Sequence, residues 1–269
     1  MLLTTDIGNS SVILTFFSPD AGICRRIRLG SDPARTQDEY AALIHSSLNL
    51  SGIDLSAVTG AIVSSVVPSL TYPVTEAIRI VFPGLEKVML AGPGMRTGFV
   101  IKTDNPSEVG TDIVANTAYA VKAFHMPLLI ADFGTMTVLT LVSGKCEMLG
   151  NVILPGIGTM FRSMSDYSAL LPELPAAAEN PGKVPLYGTN TPDSIRSGIL
   201  RGHAFAVDSY IRNFEKDMGE KLCTVATGGY ASYVTALCQH SFTVDPDLTA
   251  KGLYTLYNMP AKPNKATRS

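Results

Sequence analysis

Two carboxylates stand near the ends of apolar runs, each two residues before a glycine. Leu2 and Leu3 lead into Asp6-Ile7-Gly8-Asn9-Ser10-Ser11, after which Val12, Ile13 and Leu14 resume the apolar pattern. Near mid-chain, Leu128 to Ala131 leads into Asp132-Phe133-Gly134-Thr135, and Thr137 to Val142 returns. Each stretch reads as a β-hairpin with a carboxylate at the end of its first strand and hydroxyls at the bend. In such a turn glycine brings the backbone close to a phosphate, the carboxylate holds a cation, and N–H and hydroxyl groups bind oxygens. Two hairpins of this kind facing each other would make a nucleotide cleft. A third carboxylate, Asp112, lies in a helix expected from Asn105 to Phe124, whose start also carries Glu108; the macrodipole favours acidic groups there.

Other phosphate-binding devices are excluded. No Gly-x-x-x-x-Gly-Lys-Ser/Thr run occurs, so the chain is not a P-loop protein. Gly92, Gly94 and Gly98 follow a strand, but Phe99 to Lys102 continues as extended chain instead of a helix, and no acidic residue follows at dinucleotide-fold spacing.

The elements that must position these residues alternate between strand and helix. After the first hairpin, Gly22 to Leu29 alternates apolar and basic residues like a half-exposed third strand. Thr36 and Glu39 form a capping box for a helix with Tyr40, Leu43, Ile44 and Leu48 on its apolar stripe. Arg35 and Tyr40 are read as surface charge and core aromatic, or alternatively as substrate contacts. Gly60 to Pro68 is a continuous apolar strand of the kind a helix-covered sheet requires. A helix from Tyr72 to Phe82 and a strand from Lys87 to Leu90 follow.

The second half repeats the plan. Strands are expected at 128–132, 137–142 and 146–153. A helix then starts at Pro155-Gly156-Ile157-Gly158, with Met160, Phe161 and Met164 inward. Leu171 to Tyr187 is a Pro- and Ala-rich connector, read as a loop over the cleft or a plain linker. Asn190-Thr191-Pro192 caps a long helix to about Met218, and Gly198 and Gly202 on it suggest close packing or a subunit contact. A strand from Leu222 to Ala226, a helix from Tyr230 to Leu237 and a last helix from Leu248 to Tyr257 complete the order. Two halves of similar plan, 1–124 and 125–259, point to an internally duplicated α/β fold, with 260–269 as a disordered tail.

With 269 residues, 46% hydrophobic and 16% charged, the chain is long and apolar enough for a full core. A net charge of -2 and the absence of a basic stripe argue against nucleic acid as a partner. No apolar run approaches the roughly 20 residues that span a bilayer, and the N-terminus reads as a strand instead of a signal peptide. A cytoplasmic protein with no membrane association is expected. The four cysteines lack metal or redox spacing and read as buried free thiols. The four histidines are equally scattered and suggest no zinc site or His-based catalyst.

A set of motifs follows in one order: Asp6-Ile-Gly-Asn-Ser10, Ser64-Ser-Val-Val-Pro-Ser69, Gly92-Pro-Gly94, Asp104 to Asp112, Asp132-Phe-Gly-Thr135, Pro155-Gly-Ile-Gly158, Ala226-Thr-Gly-Gly229 and Asp245-Pro-Asp-Leu-Thr249. In this order they resemble the type III pantothenate kinases, also called the Bvg accessory factor family, from about residue 2 to about residue 257. The resemblance implies the duplicated fold of the acetate and sugar kinase, Hsp70 and actin type, related to ribonuclease H. It implies ATP-dependent phosphorylation of pantothenate to 4′-phosphopantothenate, the first step of coenzyme A biosynthesis, by a homodimer.

By that resemblance Asp6, Ile7, Gly8, Asn9, Ser10, Ser11, Val12, Ile13 and Thr135 hold ATP, with Asp6 organising Mg²⁺ through water. Asp132 holds a monovalent cation, potassium or ammonium, and Asp112 is the general base. Thr103, Gly110, Thr111, Asp112, Ile113 and Thr191 form the pantothenate site, Thr191 across the subunit boundary. The chain departs from the family at Ile113, where a basic residue is usual, at Thr103, where a tyrosine is usual, and at Val138, a usual threonine position. Those departures leave two alternatives open: a catalytically weak or inactive nucleotide-binding paralogue with a regulatory role, or a kinase for another small hydroxyl acceptor.

Overall fold

The computed structural model describes residues 1–49, 53–168, 170–175 and 183–260. It divides into two compact units, one built on 1–98, 105–119 and the C-terminal helix, the other on 99–104 and 120–248.

In the first unit β1 (Leu2–Ile7), β2 (Ser11–Phe17) and β3 (Ile23–Gly30) form an antiparallel meander. β4 (Gly60–Ser65) and β5 (Lys87–Leu90) add parallel to β1, giving the order β3-β2-β1-β4-β5. Helices α1 (Gln37–Asn49) and α2 (Pro68–Val81) cover one face, where Tyr40, Ile44 and Leu48 of α1 and Leu70, Val74 and Ile78 of α2 close over Leu3, Ile7 and Val63. The last helix, α8 (Leu248–Tyr257), lies against the other face. Its Tyr254 ring stacks at 4.8 Å on Phe17, and Tyr257 fills the space under Gly60. Buried from both sides, β4 has no room for polar alternation, which explains its apolar run from Gly60 to Val63, while β1 buries Thr4 and Thr5 between its apolar residues.

Helix α3 (Thr111–Ala123) carries Asp112 and is held by α8. The Thr249 hydroxyl is 2.8 Å from Oδ1 of buried Asn116, and a Cβ at Gly252 would collide with the Ala115 carbonyl. Only glycine permits this approach.

The second unit repeats the topology. β7 (Leu128–Phe133), β8 (Met136–Val142) and β9 (Glu147–Pro155) make the meander, and β10 (Cys223–Thr227) and β11 (Thr243–Val244) add parallel to β7. The order is β11-β10-β7-β8-β9, with the short β6 (Val100–Ile101) paired to β9. Strand for strand, β7-β8-β9 and β10-β11 match β1-β2-β3 and β4-β5, so the duplication is realised in the backbone. Helices α4 (Ile157–Asp166), α6 (Gly202–Met218) and α7 (Ala231–Thr235) supply the core against Leu129, Ala131 and Phe133.

Local signals that close on themselves are realised. Thr36 N–H donates to the Glu39 carboxylate at 2.7 Å, and Glu39 N–H to Thr36 Oγ1 at 3.3 Å, the reciprocal bonds of a capping box. Other expectations change. Leu43 is exposed, because α1 is half-wrapped and its fourth apolar residue falls outside the buried stripe. Helix α2 starts at Pro68 instead of Tyr72, since proline fits the first helical position, and Pro73 lies inside the helix in its second turn, at the cost of one backbone hydrogen bond.

The helix expected from Asn105 starts only at Thr111. Asn105-Pro106 instead caps a single 3₁₀ turn, Pro106–Glu108, with the Asn105 side chain accepting from Ser107 N–H. The long helix from Asn190 is also subdivided: α5 (Thr191–Arg196), a π-type turn Ser197–Arg201, then α6. Among the described residues outside its own helix backbone, a Cβ at Gly198 or Gly202 would meet no atom within 4 Å.

The cysteines are free, but none is fully buried: Cys24 is exposed and the others are half-buried. Burial, with Asp208 beside it, pushes the Cys238 thiol up to about 12, so this sulfur is inert. Asp208 is itself buried, accepting from Gln239 N–H, His240 N–H and His240 Nδ1. Part of the 171–187 connector and, except for Pro260, the 260–269 tail lie outside the described residues. Among the described residues no helix is long and apolar enough to cross a membrane.

Candidate active site

In the first unit Asp6, the penultimate residue of β1, is paired in the ladder with Ile13 of β2 and Ser64 of β4. Ser64 is buried, and its Oγ lies 2.8 Å from Thr111 Oγ1, which also donates to the Ser65 carbonyl at 3.3 Å. A hydroxyl link therefore ties the strand beside Asp6 to the first turn of α3. Asp112 is the next residue. Burial raises its carboxyl above the usual carboxylate range, only partly opposed by the Ile113 N–H, which donates to Oδ1 at 2.8 Å. A Cβ at Gly110 would collide with that same Oδ1, so the glycine leaves the carboxylate its room.

The turn after β1 is tied down locally. Gly8 N–H donates to the Ser11 carbonyl at 3.0 Å, and the Ser31 hydroxyl donates to the Gly8 carbonyl. Asn9 and Ser10 stand exposed at its tip, whereas the Ile7 and Val12 side chains are wholly buried in the core. Ile7 and Val12 therefore have only backbone groups to offer a ligand.

The second unit carries the same arrangement. Asp132, penultimate in β7, is paired with Val138 of β8 and with buried Thr227 of β10. In each unit an aliphatic residue and a hydroxyl residue thus flank the carboxylate. Three glycines, one in the turn beyond Asp132 and two packed against it, leave room for its backbone. Gly134 N–H donates to the Met136 carbonyl at 3.0 Å. A Cβ at Gly156 would strike the Thr135 carbonyl and lie 2.5 Å from that of Gly134. Gly228, at φ +92°, would place a Cβ 2.5 Å from the Phe133 carbonyl carbon and 2.6 Å from Asp132 Oδ1. Thr159 Oγ1 donates to the Thr135 carbonyl at 3.1 Å, and Tyr230 N–H to the Phe133 carbonyl at 3.1 Å. The hairpin is thereby wedged between the start of α4 and the turn after β10.

The residues with acceptor-site resemblance are distributed over both units. Gly110, Thr111, Asp112 and Ile113 belong to the first. Ile113 is half-buried and is not part of the apolar core. Thr103 belongs to the second, and its Oγ1 is buried with no hydrogen-bond partner among the described residues. Lys102, the neighbouring cation, is engaged with Glu147 at 3.2 Å. Thr191, exposed, opens α5 after the Asn190 cap and lines a groove of about 550 Å³ with Met164, Leu171, Ser194 and Ile195. Met164, expected inward, borders this groove and is exposed, because Ile157 and Phe161 already fill the buried side of α4.

Arg35 and Tyr40 make local contacts. Arg35 pairs with Asp32 at 3.3 Å, and the Tyr40 hydroxyl binds the backbone of Gly30 and Asp32. Sequence reasoning missed the contributions of Ser64, Gly156, Gly228 and Thr227 to the site. All four lie inside the ordered motifs, so the signal was the motif, but their roles depend on ladder register and on contacts across the fold.

The chain has the fold of the actin, Hsp70 and sugar-kinase type. Solved structures of that architecture include the activator of the 2-hydroxyisocaproyl-CoA dehydratase from Clostridium difficile with bound ADPNP, at TM-score 0.54 and 13% identity, covering 95% of this chain and 94% of that one. The ethanolamine utilization protein EutJ from Carboxydothermus hydrogenoformans aligns at TM-score 0.56 and 13% identity, over 94% and 89% of the two chains. At the level of sequence, the family model for type III pantothenate kinase matches residues 2–213. A type III pantothenate kinase of Bacillus cytotoxicus is 32% identical over 97% of both chains, and one of Rubrobacter xylanophilus is 34% identical over 97% of this chain and 98% of its own. The chain belongs to the type III pantothenate kinase family.

Proposed function

We propose that this protein transfers the γ-phosphoryl group of ATP to the hydroxyl of pantothenate, forming 4′-phosphopantothenate in the first step of coenzyme A synthesis. The observation that carries the reading is the hydroxyl link from the β1 carboxylate strand, through Ser64 and Thr111, to a buried carboxylate of raised pKa at Asp112. Phosphoryl transfer asks a protein mainly for positioning and charge, plus a group that accepts the proton of the attacking hydroxyl. Asp112 takes that proton, and its raised pKa makes it a better base than a solvated carboxylate. The turn 8–11 and Thr135 offer N–H and hydroxyl donors to phosphate oxygens.

Gly134, Gly156 and Gly228 keep side chains out of the surroundings of the Asp132 turn, which supports a cation beside Asp132. Asp6 would hold Mg²⁺ through its water shell and Asp132 a potassium or ammonium ion. These ions supply positive charge that offsets phosphate repulsion when bound. We place the enzyme in the cytoplasm as a homodimer, with Thr191 serving the neighbouring subunit's pantothenate. The deciding assay supplies purified protein with ATP, Mg²⁺ and potassium, with and without pantothenate, and follows ADP and phosphopantothenate. ADP release that is independent of pantothenate, with no phosphopantothenate formed, overturns the reading.

Two further results are expected. Replacing potassium by sodium lowers the rate at subsaturating ATP, and Asp132→Ala removes the difference together with most activity. Equal wild-type rates in the two salts would remove the cation from Asp132.

At the acceptor side, Ile113 stands where the family has a basic residue, and Lys102 is already paired with Glu147. A hydrogen bond to a charged group contributes about 1.5 to 3 kcal/mol, so Ile113→Arg is expected to raise kcat/KM for pantothenate by about 10- to 100-fold, more with Thr103→Tyr. Because Ile113 lies outside the apolar core, the arginine should leave the melting temperature nearly unchanged. Efficient use of pantothenate by the natural protein, with no gain on substitution, would show that another group binds the carboxylate.

A further inference from the structure

Beneath the second hairpin, on the face of the sheet away from Asp132, lies a histidine that the chemistry above does not use. His203 of α6 is 4% exposed, and its Nε2 is 2.9 Å from the hydroxyl of fully buried Thr137. Thr137 is the residue of β8 directly opposite Phe133 of β7, so this pair closes the hairpin immediately before its turn. The Phe133 ring meets the imidazole edge-on, with centroids 6.1 Å apart. The Phe133 backbone is pressed from elsewhere by Gly228 and Tyr230. Both members of the Phe133–Thr137 pair that closes the hairpin thus meet one side chain of α6, the helix that follows the π-type turn Ser197–Arg201.

We infer that His203 is a positioning residue for nucleotide and cation binding, holding the Asp132 turn at its working height through Thr137 and Phe133. It touches no ligand, since side chains alternate across the strand and Asp132 projects to the opposite face from Phe133. Buried polar groups are held at fixed geometry only when satisfied, so this bond specifies one position of the turn instead of several. Burial also holds the imidazole pKa below its ordinary value, which keeps the ring neutral and its bond to Thr137 unchanged near neutral pH.

The inference rests on the proposed function of the hairpin, and the test separates the two. His203→Ala, His203→Gln, Thr137→Val and the double variant His203→Ala/Thr137→Val are prepared in the full chain. KM for ATP, half-saturating potassium, KM for pantothenate and melting temperature are measured for each. The loss of one buried hydrogen bond should raise KM for ATP and half-saturating potassium about 5- to 10-fold in each single alanine or valine variant. Pantothenate KM should stay within about twofold, the double variant should be no worse than either single one, and glutamine should restore most of the affinity.

A fall in melting temperature with unchanged ATP and potassium parameters would make His203 merely structural and overturn the inference. So would additive effects in the double variant, or an equal rise in pantothenate KM. If the alanine variant does not fold, Thr137→Val and His203→Gln carry the same comparison. Gly134→Val serves as the reference: if it leaves binding of a fluorescent ATP analogue intact, the hairpin reading itself fails. If it abolishes binding while the His203 and Thr137 variants do not weaken it, only the role of His203 fails.

Discussion

Asp112→Asn is expected to lower kcat by about 10²- to 10⁴-fold while leaving ATP affinity nearly intact, because the change removes the proposed proton acceptor and keeps shape and polarity. The variant should also be at least as heat-stable as the natural protein at pH 7.5. The sign follows from linkage. Burial raises the Asp112 pKa in the folded state, so the native protein holds this proton more tightly than the unfolded chain does. The ionised group then opposes folding above its folded pKa, and that opposition is relieved as pH falls through it. Asparagine carries no charge and escapes the penalty. For the natural enzyme the same shift places the acid limb of the kcat profile above the ordinary aspartate range, with activity lost as pH falls through the raised pKa. A variant that keeps most of its kcat, or an acid limb at the pKa of a solvated carboxylate, would remove Asp112 from the role of base.

Gly228→Ala is expected to disable the second hairpin outright. The position has φ +92°, where a side chain is strained, and the added methyl would lie 2.5 Å from the Phe133 carbonyl carbon and 2.6 Å from both the Phe133 carbonyl oxygen and Asp132 Oδ1. These are backbone and a carboxylate held in a ladder, so the relief must come from moving the hairpin. A displacement of about 1 Å at a positioning element can cost about 10²-fold in rate, and overpacking of this kind destabilises by about 1 to 3 kcal/mol. Gly229→Ala is the control, since a Cβ there meets nothing within 4 Å. The expected contrast is a roughly 100-fold loss of kcat/KM for ATP in the first variant and little change in the second. Equal behaviour of the two would mean that the packing of Gly228 on the Asp132 turn has no bearing on nucleotide use.

Both predictions depend on features whose legibility in the sequence differs. The Asp6 and Asp132 hairpins could be read directly, because a strand, a glycine turn and a returning strand are encoded within a dozen residues. The Thr36–Glu39 capping box is equally local, and it is formed as read. The start of α3 was misplaced for an instructive reason. Asn105-Pro106 is a genuine cap, but its turn ends at Glu108, and the helix begins only beyond Gly110. A cap signal states that a turn begins and says nothing about how far it propagates. Leu43 and Met164 show the same limit in packing, since helical periodicity marks an apolar stripe without stating how wide the covering surface will be.

By itself the sequence determined most of the elements, the two carboxylate hairpins, the duplication and the family, because each follows from near neighbours or from an ordered series of short motifs, but it gave no sign of the two-residue β11 or of the π-type turn before α6. Only the tertiary structure decided that Ser64 links Asp6 to the Asp112 helix across 47 positions, and that Gly228 supports Asp132. It alone decided that His203 lies under Thr137, 66 positions away. Those contacts depend on which residues fall opposite one another when strands choose a register and helices a phase. Side-chain period and helix phase leave that choice open until the sheets, with α3, α6 and α8 packed upon them, satisfy all their buried groups at once.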